Sequence, residues 1–262
     1  TNEGMSLRFH EEQLRDQGRN TVGVWGIRPE KGDWVVASAI SATCGWVAPS
    51  RPASGGPNTG LLIGAFVGVL AGSAAGPDEI HGLGGNDVIC GRGGDDVISG
   101  SAGNDIIKGG AGNDTILGLG GNDVIVGRGG NDRICGGDGA DSLSGGRDRD
   151  SIEGEADGDT IDGGPGKDRL IAGAGDDSVA GGRGPDRLVG MDGNDVLNGG
   201  PGRDSVTYFL ARRSVHADLA RHRASGEGLD LLLRIESVEG SPYDDVLIGS
   251  RLPNAIDGGN GS

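Results

Sequence analysis

The chain has 262 residues, of which 57 are Gly and 10 are Pro, and its apolar share of 34% is too low for a conventional globular core. This much Gly and Pro is typical of disorder unless the glycines recur with a period. A net charge of −16 argues against nucleic acid or an anionic membrane as a partner and favours cations. The three cysteines, Cys44, Cys90 and Cys135, form no CxxC pair, so neither a zinc site nor a dense disulfide framework is predicted.

Two segments without a repeat come first in the chain. Residues 1–60 hold all three Trp residues and are expected to form a cap or a small module of unknown type. Residues 61–75, LLIGAFVGVLAGSAA, are an apolar run that is short for a transmembrane helix. Two interpretations of this run stay open: a segment shaped like an export signal, or buried segments that cover the open end of the solenoid that follows.

Residues 76–207 contain an Asp at every ninth position, which we call the register aspartates. They are Asp78, Asp87, Asp96, Asp105, Asp114, Asp123, Asp132, Asp141, Asp150, Asp159, Asp168, Asp177, Asp186, Asp195 and Asp204. An aliphatic residue, from Ile80 to Val206, follows each of them by two positions. Gly precedes them by two positions, except where Asp148 and Asp157 stand, so the unit is GGxGxDxUx with U aliphatic.

The nine-residue unit divides into a six-residue Gly-rich turn and a three-residue strand, x-U-x, which points U to one face. One such strand is too short to bury its aliphatic side chain alone, so successive units must stack. Two units per turn give two short parallel sheets with the U residues between them. Asp residues 18 apart, such as Asp87 and Asp105, then lie roughly 4.8 Å from each other along the stack.

Stacked carboxylates at this spacing repel by about 0.9 kcal/mol per neighbouring pair even at the dielectric constant of water, and by more where water is excluded. Ca²⁺ relieves this repulsion, because it accepts six to eight oxygens from carboxylates and backbone carbonyls in flexible geometry. Mg²⁺ is a poorer candidate because it demands tight octahedral geometry. The alternative without metal, Asx-type turn capping, does not explain fifteen anions aligned in two columns.

The repeat GGxGxDxUx resembles that of the RTX (hemolysin-type) calcium-binding family over residues 76–207. The resemblance implies an all-β, right-handed parallel β-roll, a β-solenoid with two short-stranded sheets and 18 residues per turn. It also implies multiple Ca²⁺ ions, each held by register aspartates and by carbonyls of the Gly-rich turns. The carbonyls implied are those near Gly82, Gly84, Gly91, Gly93, Gly100, Gly109, Gly118, Gly120, Gly127 and Gly129. Weaker or distorted sites are expected at Asp148 and Asp157.

Two further segments follow the repeat. Residues 208–239 break the register and are expected to form a strand-rich interruption, which also resembles RTX proteins. Residues 240–262 resume the unit in a new phase, with Asp245 as a further expected ligand and Asn254 in the next Asp position. The chain stops just before the next Asp would come, which we interpret as a truncation or as an end that lacks its final ligand.

Outward positions suggest a partner surface. One sheet carries Val88, Ile106, Val124 and Val126 among few charges, so we expect this face to bind a partner or to self-associate, although scattered surface residues explain it equally well. Cys90 and Cys135 are expected on opposite sheets, both pointing outward, so they should not pair.

The expected function is that of a structural or adhesive module of a secreted or cell-surface bacterial protein that folds on binding Ca²⁺ outside the cell. The chain lacks a GxSxG elbow or a P-loop, so no enzyme activity is predicted. Two alternatives remain. An ice-binding face would need a regular Thr or Asn column, but the less charged sheet offers only Thr160 and Asn198. The roll could also be the accessory part of an extracellular hydrolase or epimerase.

Overall fold

A computed structural model describes residues 25–27, 35–37, 60–63 and 69–259. The chain forms two compact units, residues 1–47 and 48–262. The first unit contains an antiparallel pair of strands, and its remaining residues, which include most of the expected cap or module, lie outside the described part. In the described residues no helix is long and apolar enough to cross a membrane.

The second unit is a parallel β-solenoid of about 10 turns with 18 residues per turn, as predicted. Counting those of the first unit, the strands are β1 Trp25–Ile27, β2 Val35–Ala37, β3 Gly60–Ile63, β4 Val69–Ala71, β5 Asp78–His81, β6 Val88–Gly93, β7 Val97–Ala102, β8 Ile106–Ala111, β9 Thr115–Gly120, β10 Val124–Gly129, β11 Arg133–Asp138, β12 Ser142–Arg147, β13 Ser151–Ala156, β14 Thr160–Pro165, β15 Arg169–Ala174, β16 Ser178–Arg183, β17 Arg187–Asp192, β18 Val196–Asn198, β19 Ser205–Thr207, β20 His216–Asp218, β21 Arg223–Ser225, β22 Leu229–Leu233, β23 Ser237–Glu239, β24 Val246–Ile248 and β25 Ala255–Asp257.

Alternate strands build two sheets, because each nine-residue unit crosses from one sheet to the other. Strands β4 to β18 of even number, together with β20, β21, β22 and β24, belong to a 12-stranded sheet. Strands β3 to β19 of odd number, together with β23 and β25, belong to an 11-stranded sheet. The pairing register is 18 residues, so that Ile107 pairs with Ile89 on one side and Ile125 on the other. The predicted register of the stack is therefore confirmed.

The core is a double row of the aliphatic U residues. Those from Ile80 to Val206 are at most 2% exposed. Burial of one such side chain stabilises the fold by about 1.5–3 kcal/mol, which is why each unit needs the next. The row consists of Ile80, Ile89, Ile98, Ile107, Ile116, Ile125, Ile134, Leu143, Ile152, Ile161, Leu170, Val179, Leu188, Leu197 and Val206.

The strands of the roll are longer than the three residues expected. Most span six, as in β6, because part of the Gly-rich segment also pairs with the next coil. The ladder between β6 and β8 pairs Cys90 with Lys108, omits Gly91, and resumes at Arg92 and Gly110. Buried amides and carbonyls need partners, so the glycine half of the unit is drawn into the sheet, leaving three-residue turns.

The interruption extends the sheets instead of ending them. Strand β22 pairs in parallel with β18 and places Leu232 beside Leu197, while β20 and β21 add antiparallel pairs. Strand β23 continues the other sheet from β19. Strands β24 and β25 then stack on β20 and β23. At this end the U residue Ile256 is 47% exposed.

The apolar run of residues 61–75 takes part in the roll where it is described. Strand β3 pairs in parallel with β5, and β4 pairs with β6, in the same direction as the rest of the stack. The side chain of Leu70 is buried in the row of U residues. Residues 64–68 of this run lie outside the described part.

The two cysteines of the roll lie on different sheets, Cys90 in β6 and Cys135 in β11, as expected. Cys135 is a free thiol, so the two do not pair. The side chain of Cys90 is buried, and its outward orientation stays a prediction. Ser99 and Val189, at the same position after U, are buried too.

Candidate calcium-binding columns

The register aspartates form two buried columns, one beside each sheet. All fifteen are 4% exposed or less. Each stands immediately before a strand, except Asp78, which is the first residue of β5, and the 18-residue period places every second Asp in the same column. Burial of so many carboxylates is costly unless opposite charge or hydrogen bonds compensate it.

In the register aspartates from Asp96 to Asp204, one carboxylate oxygen, Oδ1, joins neighbouring coils. The backbone N–H of Asp96 donates to Oδ1 of Asp114 at 2.9 Å, and that of Asp105 donates to Oδ1 of Asp123 at 2.8 Å. The same bond recurs along both columns, up to Asp186 and Asp204. Amide-to-carboxylate hydrogen bonds parallel to the roll axis therefore connect successive coils along each column.

The other oxygen, Oδ2, is buried and accepts no hydrogen bond from the described residues in thirteen of these carboxylates. The thirteen are Asp96, Asp105, Asp114, Asp123, Asp132, Asp141, Asp150, Asp159, Asp168, Asp177, Asp186, Asp195 and Asp204. A buried carboxylate oxygen without a donor costs free energy, so a repeated set of them indicates a missing positive ligand.

Backbone carbonyls converge on these oxygens next to the first glycine of the unit. A methyl group added to Gly163 would lie 2.8 Å from Asp168 Oδ2 and 2.6 Å from the Gly181 carbonyl oxygen. A methyl group added to Gly181 would lie 2.8 Å from Asp186 Oδ2 and 2.6 Å from the Gly199 carbonyl oxygen. The glycine therefore keeps open a space that carboxylate and carbonyl oxygens border.

This donor set fits a hard divalent cation. No group of three or more His, Cys, Asp and Glu side chains in the described residues is arranged around one metal position, so carbonyls must supply much of any coordination shell. Oxygen-only ligands from carboxylates and carbonyls are those that Ca²⁺ accepts. Bound there, Ca²⁺ would supply the positive charge that the Oδ2 atoms lack, with the first glycines and their register aspartates as its holders.

Without a cation the columns resist ionisation. Burial raises the pKa of Asp123, Asp132, Asp159, Asp168 and Asp195 to about 7, an effect that hydrogen bonds from backbone amides partly offset and neighbouring carboxylates reinforce. For Asp96 and Asp204 the pKa is raised to about 6, again mainly by burial.

The turn carbonyls implied by the resemblance fall into two groups. Those of Gly91, Gly100, Gly109, Gly118 and Gly127 each lie against the first glycine of the preceding coil, in the oxygen-bordered space. The carbonyls of Gly93, Gly120 and Gly129 accept amide hydrogen bonds from the neighbouring coil. Gly82 donates its amide to the Ser99 carbonyl, and Gly84 faces the Ala102 carbonyl.

Asp148 and Asp157 occupy glycine positions in the turn. Both have left-handed backbone, with φ of 77° and 69°, where Gly94 has 121°. Asp is among the residues that tolerate this region best, so the turn path survives the substitution. The following carboxylates, Asp150 and Asp159, keep buried Oδ2 atoms like the others. Weaker binding at these two sites stays a prediction.

Asp245 differs from the other expected ligands. It is half-buried, and its Oδ1 accepts from the Val215 amide at 2.7 Å while its Oδ2 accepts from the Ser241 amide at 2.6 Å. Both oxygens thus have donors. Asp78, at the other end of the repeat, accepts a hydrogen bond from the Ser73 amide at Oδ2.

Sequence reasoning missed Asp230, which continues a column inside the interruption. The Asp195 amide points to its Oδ1 at 3.4 Å, and its Oδ2 accepts from the buried Tyr208 hydroxyl at 2.9 Å. The hydroxyl takes the place that a cation would take elsewhere. The signal was present in the sequence, because Asp230 and Leu232 keep the D-x-U spacing.

A second ladder on the turn surface was also missed. The residue before each register aspartate is Asn in several coils, and its Oδ1 accepts from the backbone amide 18 residues later. Asn104 accepts from Asn122 at 2.9 Å, and Asn113 accepts from Asn131 at 2.8 Å. This ladder runs opposite in sense to that of the buried aspartates and stiffens the turns.

Comparison with known proteins agrees with this geometry. The model of the RTX calcium-binding nonapeptide repeat matches in four copies, at residues 74–98, 99–134, 136–170 and 171–206. No curated protein is significantly similar to the chain. The four copies cover half of the chain and coincide with the coils whose carboxylates form the two columns. The chain therefore belongs to the RTX calcium-binding nonapeptide repeat family.

Proposed function

We propose that this calcium-binding structural module is part of an exported bacterial protein and folds when it meets extracellular calcium. The observation that carries the proposal is the set of thirteen buried Oδ2 atoms without a hydrogen-bond donor. In low calcium these charges oppose folding, and binding of Ca²⁺ to the folded state alone stabilises it by mass action. Extracellular calcium modules bind at about 10⁻⁴ to 10⁻³ M, so the chain would stay unfolded inside the cell.

The experiment is a calcium titration of the chelator-treated chain followed by far-ultraviolet circular dichroism. We expect the sheet signal to appear with a midpoint on the order of 10⁻⁴ to 10⁻³ M, and magnesium at the same concentration to be much less effective. A midpoint below micromolar calcium, or equal folding by magnesium, would overturn the proposal that the chain folds only when it meets extracellular calcium.

We further propose that two copies of the roll associate through the 12-stranded sheet, which is the less charged of the two sheets. Its central pair, Ile106 and Val124, are 42% and 44% exposed and adjacent in the ladder. Val88 and Val126 flank them and are half-buried. A flat apolar row of this kind favours a matching flat surface, and a second copy supplies one with the same coil spacing.

A further inference from the structure

Five basic side chains surround one cavity of about 460 Å³ at the turn edge of the 11-stranded sheet. Arg149, Lys167 and Arg203 each stand one residue before a register aspartate, and Arg169 and Arg187 each stand one residue after one. We call these five residues the basic groove. Such a group is unexpected in a chain with a net charge of −16.

The five cations are arranged along the roll axis. Arg169 and Arg187 are partners in the ladder between β15 and β17. Arg149 and Lys167 are one coil apart, and Arg203 lies two coils further on. Since one coil advances the stack by about 4.8 Å, the row from Arg149 to Arg203 is roughly 14 Å long.

Three of these cations have no ion-pair partner among the described residues. Arg169 pairs with Glu153 at 3.2 Å and Arg187 pairs with Glu239 at 2.6 Å. Arg149, Lys167 and Arg203 are exposed and take part in none of the ion pairs found in the described coils. The groove therefore holds a row of three exposed cations outside any of these ion pairs, next to the buried register carboxylates of Asp168 and Asp186, which also line the cavity.

The groove also interrupts the ladder of the turn surface. Asn131 Oδ1 still accepts from the Arg149 amide at 3.0 Å. The side chains of Arg149 and Pro185 contain no acceptor, so the amides of Lys167 and Arg203, each 18 residues later, lose the ladder contact. Two backbone donors thus stand beside the three exposed cations, a combination suited to oxyanions.

We propose that the basic groove binds a linear acidic glycan with one carboxylate or sulfate per sugar ring, lying along the roll axis. The cations are spaced by whole coils, and the charges of such a glycan are spaced by whole sugar rings, so the two rows can match. Guanidinium groups bind carboxylate and sulfate through two parallel hydrogen bonds. A nucleic acid fits less well. Its charge density is high, at one charge per about 1.7 Å in duplex DNA, and the rest of the molecule is acidic. The groove also has no aromatic lining for base stacking.

The proposal rests on calcium-dependent folding, because the groove is built from four successive coils. Its test is isothermal titration calorimetry of the full chain with hexagalacturonate at a fixed free calcium concentration. A heparin-derived hexasaccharide distinguishes sulfate from carboxylate, and an uncharged hexasaccharide and a single-stranded DNA of similar length are run beside them. Circular dichroism in the same buffer reports on folding separately.

We expect an acidic hexasaccharide to bind and the uncharged one not to bind. The triple variant Arg149→Gln, Lys167→Gln, Arg203→Gln should bind roughly tenfold more weakly, as for the loss of three exposed ion pairs. The variant Arg213→Gln, Arg223→Gln, Arg251→Gln removes three exposed charges elsewhere and should bind like the wild type. The single variant Arg203→Gln gives an intermediate loss and guards against misfolding of the triple variant.

Three results would overturn the assignment. The first is equal affinity of the groove variant and the wild type while both show the full sheet signal. The second is equal binding of the uncharged hexasaccharide. The third is tighter binding of single-stranded DNA that the groove variant loses, which would assign the groove to nucleic acid. Absence of the sheet signal in the wild type would instead count against the proposed folding switch.

Discussion

The two oxygens of the thirteen register aspartates from Asp96 to Asp204 have different environments. Oδ1 accepts the amide of the preceding coil, and Oδ2 is buried without a donor among the described residues. Hydrogen bonding alone would favour Asn as well as Asp at these positions, because the Asn side-chain oxygen also accepts an amide. The consistent choice of Asp is therefore explained by the charge at Oδ2, and the charge is useful only when a cation binds it.

Substitutions at Asp114 separate these two roles. Asp114→Asn keeps an acceptor for the Asp96 amide but removes the charge, so the calcium titration should become less cooperative and shift to higher calcium. Asp114→Ala should do the same and should also lower the free energy of unfolding by a further 1–3 kcal/mol or so, because the Asp96 amide loses its acceptor. Circular dichroism and urea unfolding at saturating calcium measure the two effects.

The matched control for these variants is Asp138→Asn, which removes an exposed carboxylate from the end of β11. It should leave the calcium titration unchanged. If Asp138→Asn and Asp114→Asn behave alike, loss of general negative charge explains the effect and the buried columns do not.

Calcium binding should compete with protons. The pKa of Asp123, Asp159 and Asp195 is raised to about 7 in the metal-free fold, chiefly by burial, above the value of about 3.9 for an exposed Asp. The metal-free fold is accordingly most stable below about pH 4 and loses stability as the pH rises through about 7. In excess chelator, the sheet signal should be stronger at pH 5.5 than at pH 8.

The same pKa shift predicts weaker calcium affinity at pH 5.5 than at pH 8, with protons released when calcium binds at pH 6 to 7. Calorimetry in two buffers of different ionisation enthalpy measures this release. A calcium affinity that does not change between pH 5.5 and pH 8 would show that the carboxylates are already ionised in the folded chain.

The first position of each unit requires Gly because a side chain there would have no room, and not only because Gly has more conformational freedom. A methyl group on Gly109 would collide with Asp114 Oδ2 and lie 3.1 Å from the Gly127 carbonyl oxygen, inside the proposed cation site. Gly129 has no atom within 4 Å of the same added group. Neither residue has left-handed backbone, so the comparison isolates occupied space.

Gly109→Ala should therefore abolish binding at its site and weaken calcium-dependent folding, whereas Gly129→Ala should change stability by no more than about 0.5 kcal/mol. Bound calcium and the titration midpoint are the measurements. Equal behaviour of the two alanine variants would place the cation elsewhere than beside the first glycine.

The sequence predicted those elements of the roll in which the nine-residue period places residues of one type, Asp or the aliphatic U, in one environment. Nine-residue spacing of Asp and U gave the 18-residue coil, the two sheets and the buried row. It did not predict six-residue strands, because a Gly-rich run has no side-chain pattern that indicates pairing. It also did not predict that Tyr208 would donate to Asp230, because that contact joins residues 22 apart within a segment that has no repeat.

The site was predictable to a similar degree. The identity of the buried carboxylates followed from their register, since residues at one period share one environment. Their hydrogen bonds did not follow, because the period alone does not say which oxygen meets the next coil. The basic groove was also missed: Arg149, Lys167 and Arg203 are scattered in the sequence and become one row only when coils stack.

Across the whole molecule, the less charged sheet should govern association. Replacing Ile106 and Val124 together by Lys puts two charges on adjacent strands of the exposed apolar row, so any dimer formed through this face should dissociate. Light scattering at saturating calcium measures the mass. Arg133 and Ser151, on the opposite sheet, give the control variant Arg133→Lys, Ser151→Lys, which should leave the mass unchanged.

A wild-type chain that is already monomeric, or a dimer that survives the double Lys substitution, would contradict this interface. The calcium-binding columns would be unaffected by either outcome, because Ile106 and Val124 point away from the buried carboxylates of their strands.

The most direct test is to measure bound calcium and the sheet signal on the same samples, by equilibrium dialysis and circular dichroism, as calcium is added to the chelator-treated chain. Ions bound to the buried columns and sheet formation should rise together, with several ions per folded chain, and chelator should reverse both. A chain that shows its full sheet signal at neutral pH with no bound divalent ion would contradict the assignment of the columns to calcium.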